Sequence, residues 1–123
     1  LCEQYEKHLN VEAKLVQEIA QTKIFPLAAS YAASLAEGAA KLKAAGVAAS
    51  TATLEKVAGL VSQLEKDIAM LQSVHASAHE VSDWTFKVLP AMNKVRATVD
   101  DLEGLLPDDV WPLPTYQEML FIK

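Results

Sequence analysis

The sequence predicts an all-α protein: an antiparallel bundle of three long helices, two of them proline-kinked, with a short C-terminal helical arm. Three observations carry that reading. Hydrophobic residues make up 51% of the chain but aromatic residues only 7%, and the difference is mostly alanine, which has the highest helix propensity and no side-chain entropy to lose. Larger apolar residues recur at steps of three and four, the spacing of one helix face. Glycines and prolines are few, and several stand where helices would end or bend. At 123 residues the chain is one domain by length, with a core large enough to need no staples. It divides into a helical bundle over 1–106 and an extended, proline-rich arm with a short terminal helix over 107–123.

The first helix is expected over about residues 3–45. Leu9, Ala13, Val16, Ala20, Ile24, Leu27, Tyr31, Leu35, Gly38 and Leu42 fall on one face of it. Pro26 lies inside this run, where it lacks an N–H and its ring opposes the carbonyl of Thr22, so a kink is expected near 22–25. Gly46 can take the left-handed conformation that ends a helix, and Ser50 or Thr51 can cap the next one.

In the second helix Leu54, Val57, Val61, Leu64, Ile68, Leu71, His75 and Ala78 form a heptad seam. Glu55, Lys56, Glu65, Lys66 and Asp67 read as a solvated face beside it. A turn is expected within 73–83, with Ser77 to Glu80 as a capping box. Without that turn one helix would run on for about 84 Å at 1.5 Å per residue. The third helix then carries Val81, Thr85, Val88, Leu89, Met92, Val95, Val99, Leu102 and Leu106, with Trp84 at the edge of the core. Pro90 interrupts it as Pro26 interrupts the first, in the matching strings Lys23-Ile24-Phe25-Pro26 and Lys87-Val88-Leu89-Pro90.

Beyond the bundle, Trp111, Pro112, Leu113 and Pro114 make a stiff extended segment, because each proline restrains its own backbone and that of the residue before it. Thr115 to Glu118 can cap a final turn or two through Tyr116, Met119, Leu120 and Phe121. So few residues cannot bury side chains of this size by themselves. Trp111, Pro112, Leu113, Pro114, Tyr116, Met119, Leu120 and Phe121 are therefore expected to anchor the arm on a receiving surface.

Charge and composition exclude several functions. A net charge of -5 with dispersed lysines opposes nucleic-acid binding, which needs a clustered basic surface. No uncharged run reaches the roughly 18 to 20 residues of a membrane span. Cys2 is the only cysteine, which rules out an internal disulfide and fits a reducing compartment. A polar, charged N-terminus argues against a signal peptide, and a start at Leu1 without methionine leads us to expect a piece of a longer protein.

No catalytic, cofactor-binding or metal-binding residue is expected in this chain. His75 and His79 would share a helix face, but a third ligand is missing and His75 belongs to the seam, so a core histidine and a surface one are expected. Cys2 has no recognisable His partner, and no glycine-rich phosphate loop exists. Asp100, Asp101, Glu103, Asp108 and Asp109 gather where the third helix ends and read as solvated acids. Such acids oppose the helix dipole unless a basic surface answers them.

The string Lys87-Val88-Leu89-Pro90-Ala91-Met92-Asn93-Lys94-Val95-Arg96, with Trp111-Pro112-Leu113-Pro114-Thr115-Tyr116 and Met119-Leu120-Phe121, resembles the C-terminus of type III glutamine synthetases. In the first helix Asn10-Val11-Glu12-Ala13 and Thr22-Lys23-Ile24-Phe25-Pro26-Leu27-Ala28 are similar to the segment that follows the catalytic domain of that family. The resemblance implies a cytoplasmic parent enzyme that joins ammonia to glutamate at the expense of ATP, with divalent metal (Mg or Mn), in a ring-shaped homo-oligomer. Its catalytic motifs lie upstream of this chain, so the resemblance transfers no catalytic residue and no cofactor site. The expected role is a structural or oligomerisation domain, with the parent's own catalytic domain and neighbouring subunits as partners. A regulatory module of the same enzyme and a free-standing amphipathic helical interaction protein are the alternatives, and neither nucleic acid nor membrane is an expected partner.

Overall fold

The computed structural model describes residues 2–48 and 50–106. Within them the chain is helical, with no strand. The first helix spans 2–44 as an α-helix over Cys2–Ile19, a π turn over Ala20–Ile24 and an α-helix over Phe25–Ala44. The second is an α-helix over Ala52–Ala76. The third covers 81–105 as a short Val81–Asp83 turn, a π turn over Trp84–Val88 and an α-helix over Leu89–Leu105.

The two π turns stand in the same place relative to the two prolines. Phe25 donates its N–H to the carbonyl of Ala20, and Leu89 donates to that of Trp84, each bond reaching back five residues instead of four. The wider turn makes room for the ring of Pro26 or Pro90, which would otherwise meet the carbonyl four residues earlier. Each proline then sits in the first turn of the α-helix that follows.

The first π turn also corrects the predicted face. Val16, Ala20, Ile24 and Ala28 are buried, a run of four-residue steps. The extra residue in the turn rotates the helix beyond it, so Ala28 takes the inward position expected for Leu27. Gly38 and Leu42, also expected to face inward, are exposed.

Helix ends follow local chemistry. Gly46 has φ +81, Val47 donates to the carbonyl of Leu42 at 2.9 Å and Gly46 to that of Lys43 at 3.0 Å. Those are the two bonds of a Schellman stop. Ser50 Oγ accepts the N–H of Ala52 at 3.3 Å at the start of the second helix.

The predicted capping box at Ser77 is replaced by one a few residues later. Ser77 closes the second helix by donating its hydroxyl to the carbonyl of Ser73 at 3.1 Å. The Asp83 carboxylate accepts the N–H groups of His79 at 3.0 Å and Glu80 at 3.2 Å. Those two bonds, helped by Lys87, hold the Asp83 carboxyl below its ordinary value. An ionised acid in the first turn also meets the positive end of the helix dipole, which an uncharged serine cannot exploit.

Contacts between helices follow a consistent order. Tyr5 and Glu12 of the first helix meet Thr85 and Arg96 of the third. Asn10 and Gln17 meet His75 of the second, and Gln21 meets Gln72. His75 and Asp67 of the second meet Trp84 and Thr98 of the third. Ile24, Leu64, Leu71, Met92, Val95, Val99 and Leu102 are fully buried between the three.

This core has a sharp limit. Beyond Ala28 no residue of the first helix is buried, and before Leu64 only Val57 of the second is. Residues 29–60 therefore form a two-helix tip beyond the three-helix core.

Candidate interaction surface

The residues predicted to anchor the arm, Trp111, Pro112, Leu113, Pro114, Tyr116, Met119, Leu120 and Phe121, lie outside the described residues, as do Asp108 and Asp109. Among the described residues, His75, Asp67 and Arg96 of the core each reach a partner on another helix.

His75 is the clearest case. Its Nε2 lies 2.6 Å from Asn10 Oδ1 and its Nδ1 lies 2.9 Å from Gln17 Nε2. An amide oxygen only accepts and an amide nitrogen only donates, so the ring is neutral with its proton on Nε2. Burial, and then the charge of Lys14, lower its pKa from the ordinary value. The edge of the ring meets Trp84, with centroids 5.7 Å apart. The helix carrying His75 stops at Ala76, so His79 does not share its face as the spacing implied.

Asp67 was read as part of a solvated face and is instead 2% exposed. Thr98 donates its hydroxyl to Oδ2 at 2.6 Å and Gln63 donates to Oδ1 at 2.8 Å, with Lys94 Nζ 3.8 Å from the same oxygen. A second helix wedged between two partners buries adjacent positions, so Asp67 and Ile68 both face inward. Thr98, a hydroxyl between buried Val95 and Val99, is its partner on the third helix. Arg96, also buried, lies 3.7 Å from Glu12 and donates to Asn93 at 3.3 Å, which ties the first helix to the third.

The surface differs at the tip. Leu42 and Val47 are 45% and 51% exposed. Between the two helices there, Gly38, Ala39 and Thr53 line a groove together with Leu35, Leu42 and Leu54. Exposed apolar side chains are not confined to the tip, since Val11 and Met70 are 63% and 57% exposed elsewhere on the domain. Phe86, beside the second π turn, is 76% exposed.

No helix among the described residues is long and apolar enough to cross a membrane. Nor do three or more His, Cys, Asp or Glu side chains come together there as a metal would require. What the described residues define is a helical domain in which buried His75, Asp67 and Arg96 reach partners on other helices, with an open groove between the first and second helices near their connection.

Comparison with known proteins places that domain. Residues 1–43 match the glutamine synthetase C-terminal domain family. The chain is 27% identical over 138 residues to type-3 glutamine synthetase of Dictyostelium discoideum, an alignment covering 100% of this chain and 19% of that protein. It is 25% identical over 136 residues to a glutamine synthetase of Bacteroides fragilis (strain YCH46), covering 98% of this chain and 19% of the relative. The chain is therefore similar to the C-terminal part of glutamine synthetases, and it spans about one fifth of the length of the curated relatives it matches. No solved structure matches it.

Proposed function

We propose that this chain is the C-terminal structural and assembly domain of a type III glutamine synthetase. The parent enzyme would be a cytoplasmic homo-oligomer that makes glutamine from ATP, glutamate and ammonia with Mg or Mn. Chemistry belongs to the catalytic domain in that reading. The observation that carries it is similarity along essentially the whole chain to the last part of such enzymes. Supporting it, His75, Asp67 and Arg96 of the core each reach a partner on another helix.

In this reading the three helices form an antiparallel bundle, as the order of contacts from Tyr5–Thr85 to Asp67–Thr98 supports. The π turns set a bend before each proline. Residues 1–106 are the bundle, and 107–123 are the arm whose Trp111 and Phe121 stabilise contacts with the catalytic domain and neighbouring subunits.

The test is sedimentation of the full-length synthetase carrying Trp111→Ala with Phe121→Ala. Loss of the largest assembly is expected, while the helical circular dichroism of the 123-residue chain persists. An unchanged sedimentation profile would overturn the assembly role.

A further inference from the structure

Phe86 and Thr22 hold the same place in the two π turns, four residues before Pro90 and Pro26. Both are exposed, while the residues two before and two after each of them, Trp84 and Val88 in one turn and Ala20 and Ile24 in the other, are buried. At this outward place the first turn uses a threonine, whose hydroxyl donates to the carbonyl of Glu18. A π turn before a proline therefore needs no aromatic residue there. Phe86 is nevertheless 76% exposed, the most exposed large apolar side chain of the described residues. Pro90, one turn farther along, is exposed as well. A ring left in water contributes nothing to the bundle, and π turns set into α-helices are frequent at functional sites.

We propose that Phe86 anchors this bundle on the domain that precedes it in the same subunit of the parent synthetase, its ring filling an apolar pocket there. Two observations choose that occupant. The relatives align through their C-terminal part, so about four-fifths of their length lies before the residue matched to the start of this chain. In the proposed parent that preceding part joins the bundle where the first helix begins. Phe86 stands at the same end. Its neighbour Thr85 shares a hydrogen bond of 3.0 Å with Tyr5, and Tyr5 is about 4.5 Å of helix from Cys2. A domain tethered at that point meets Phe86 at the high effective concentration of an intramolecular contact.

The surroundings of the ring agree with a packed contact. Lys87, next to Phe86, lies 3.5 Å from Asp83 on its own helix, so the charge beside the ring is already balanced. An apolar centre with a polar rim is the make-up of an interface anchor. The contact deepens the assembly reading by naming a surface within one subunit, and it rests on that reading for the existence of the preceding domain.

The experiment is photocrosslinking in the full-length synthetase with benzoylphenylalanine placed at position 86 and, separately, at position 22, followed by mass spectrometry of the linked peptides. In assemblies mixed from isotopically heavy and light subunits, the adduct from position 86 should join it to the preceding domain of its own subunit, with no heavy–light pairs. Position 22, about 30 Å along the first helix from Cys2, should give no such adduct. A second measurement installs at position 86 the residue that the first turn uses. Phe86→Thr should speed amide exchange of the linked peptide in the preceding domain about tenfold, while exchange within 91–102 stays as it was. No adduct from position 86, adducts to a neighbouring subunit or to a second copy of this bundle, equal adducts from positions 86 and 22, or unchanged exchange in Phe86→Thr would each overturn the proposal. The expected adducts combined with unchanged sedimentation of Trp111→Ala with Phe121→Ala would sink the assembly role alone. Lost assembly in that double variant, without an adduct from position 86, would sink the Phe86 contact alone.

Discussion

The three-helix core and the two-helix tip are built from the same kind of sequence and differ in what stands opposite it. Leu9, Val16 and Ile24 in the core and Leu35 and Leu42 in the tip belong to one predicted stripe. The first three are buried and Leu42 is 45% exposed. The first helix alone, therefore, does not decide burial. Helix spacing selects a face, and burial needs a third element to cover it, which the core receives from residues 81–106 and which the tip lacks among the described residues. The same contrast governs polar groups. In the core Asp67 and His75 are fixed by partners on other helices. At the tip Glu37 and Lys41, 3.0 Å apart, pair within one helix at the surface, and such exposed pairs contribute little.

The sharpest way to break the contrast is to delete the same side chain on both sides of it. Leu64→Ala removes a fully buried leucine and should cost about 2 to 5 kcal/mol of stability in chemical denaturation. Leu42→Ala at the tip should cost at most about 1 kcal/mol. Equal costs would mean that the tip is as well packed as the core.

Next in size is Thr98→Val, which keeps the shape of the side chain and withdraws the hydroxyl from buried Asp67. A loss of about 1 to 3 kcal/mol is expected on the same measurement. A neutral result would show that Gln63 and Lys94 suffice for that carboxylate.

The smallest effect is that of pH on His75. Its pKa in the fold is lowered, so below the ordinary imidazole value of about 6.5 the unfolded chain binds more protons than the folded one. This group's contribution is thus fully present above that pH and is lost as pH falls through the folded pKa. Protonation would place an N–H against the amide nitrogen of Gln17 and force that side chain to turn over. Comparing stability against pH for the native chain and His75→Gln checks it. The native chain should lose more stability on acidification, and identical profiles would contradict the neutral assignment.

Much of this architecture was legible in advance. Three helical stretches, the stop at Gly46, the break between 73 and 83 and the burial of Val88, Met92, Val95, Val99 and Leu102 all follow from spacing and turn chemistry. The proline strings at Pro26 and Pro90 marked the places where the helices widen. Asp67 was not legible, because a charged residue next to a seam looks solvated until a second partner helix covers it. The groove was not legible either, since Gly38, which lines it, was expected to face inward.

What the sequence determined by itself is local: which residues are helical, where the helices stop, and where proline forbids a regular turn. Bonds within a few residues govern those features, and the side chains that make them are adjacent in the chain. Only the tertiary structure decided which face is inside after the π turn, that His75 and Asp67 join helices, and that 29–60 has only two helices among the described residues. Each depends on residues brought together from distant parts of the chain, and on one helix ending before its neighbours do.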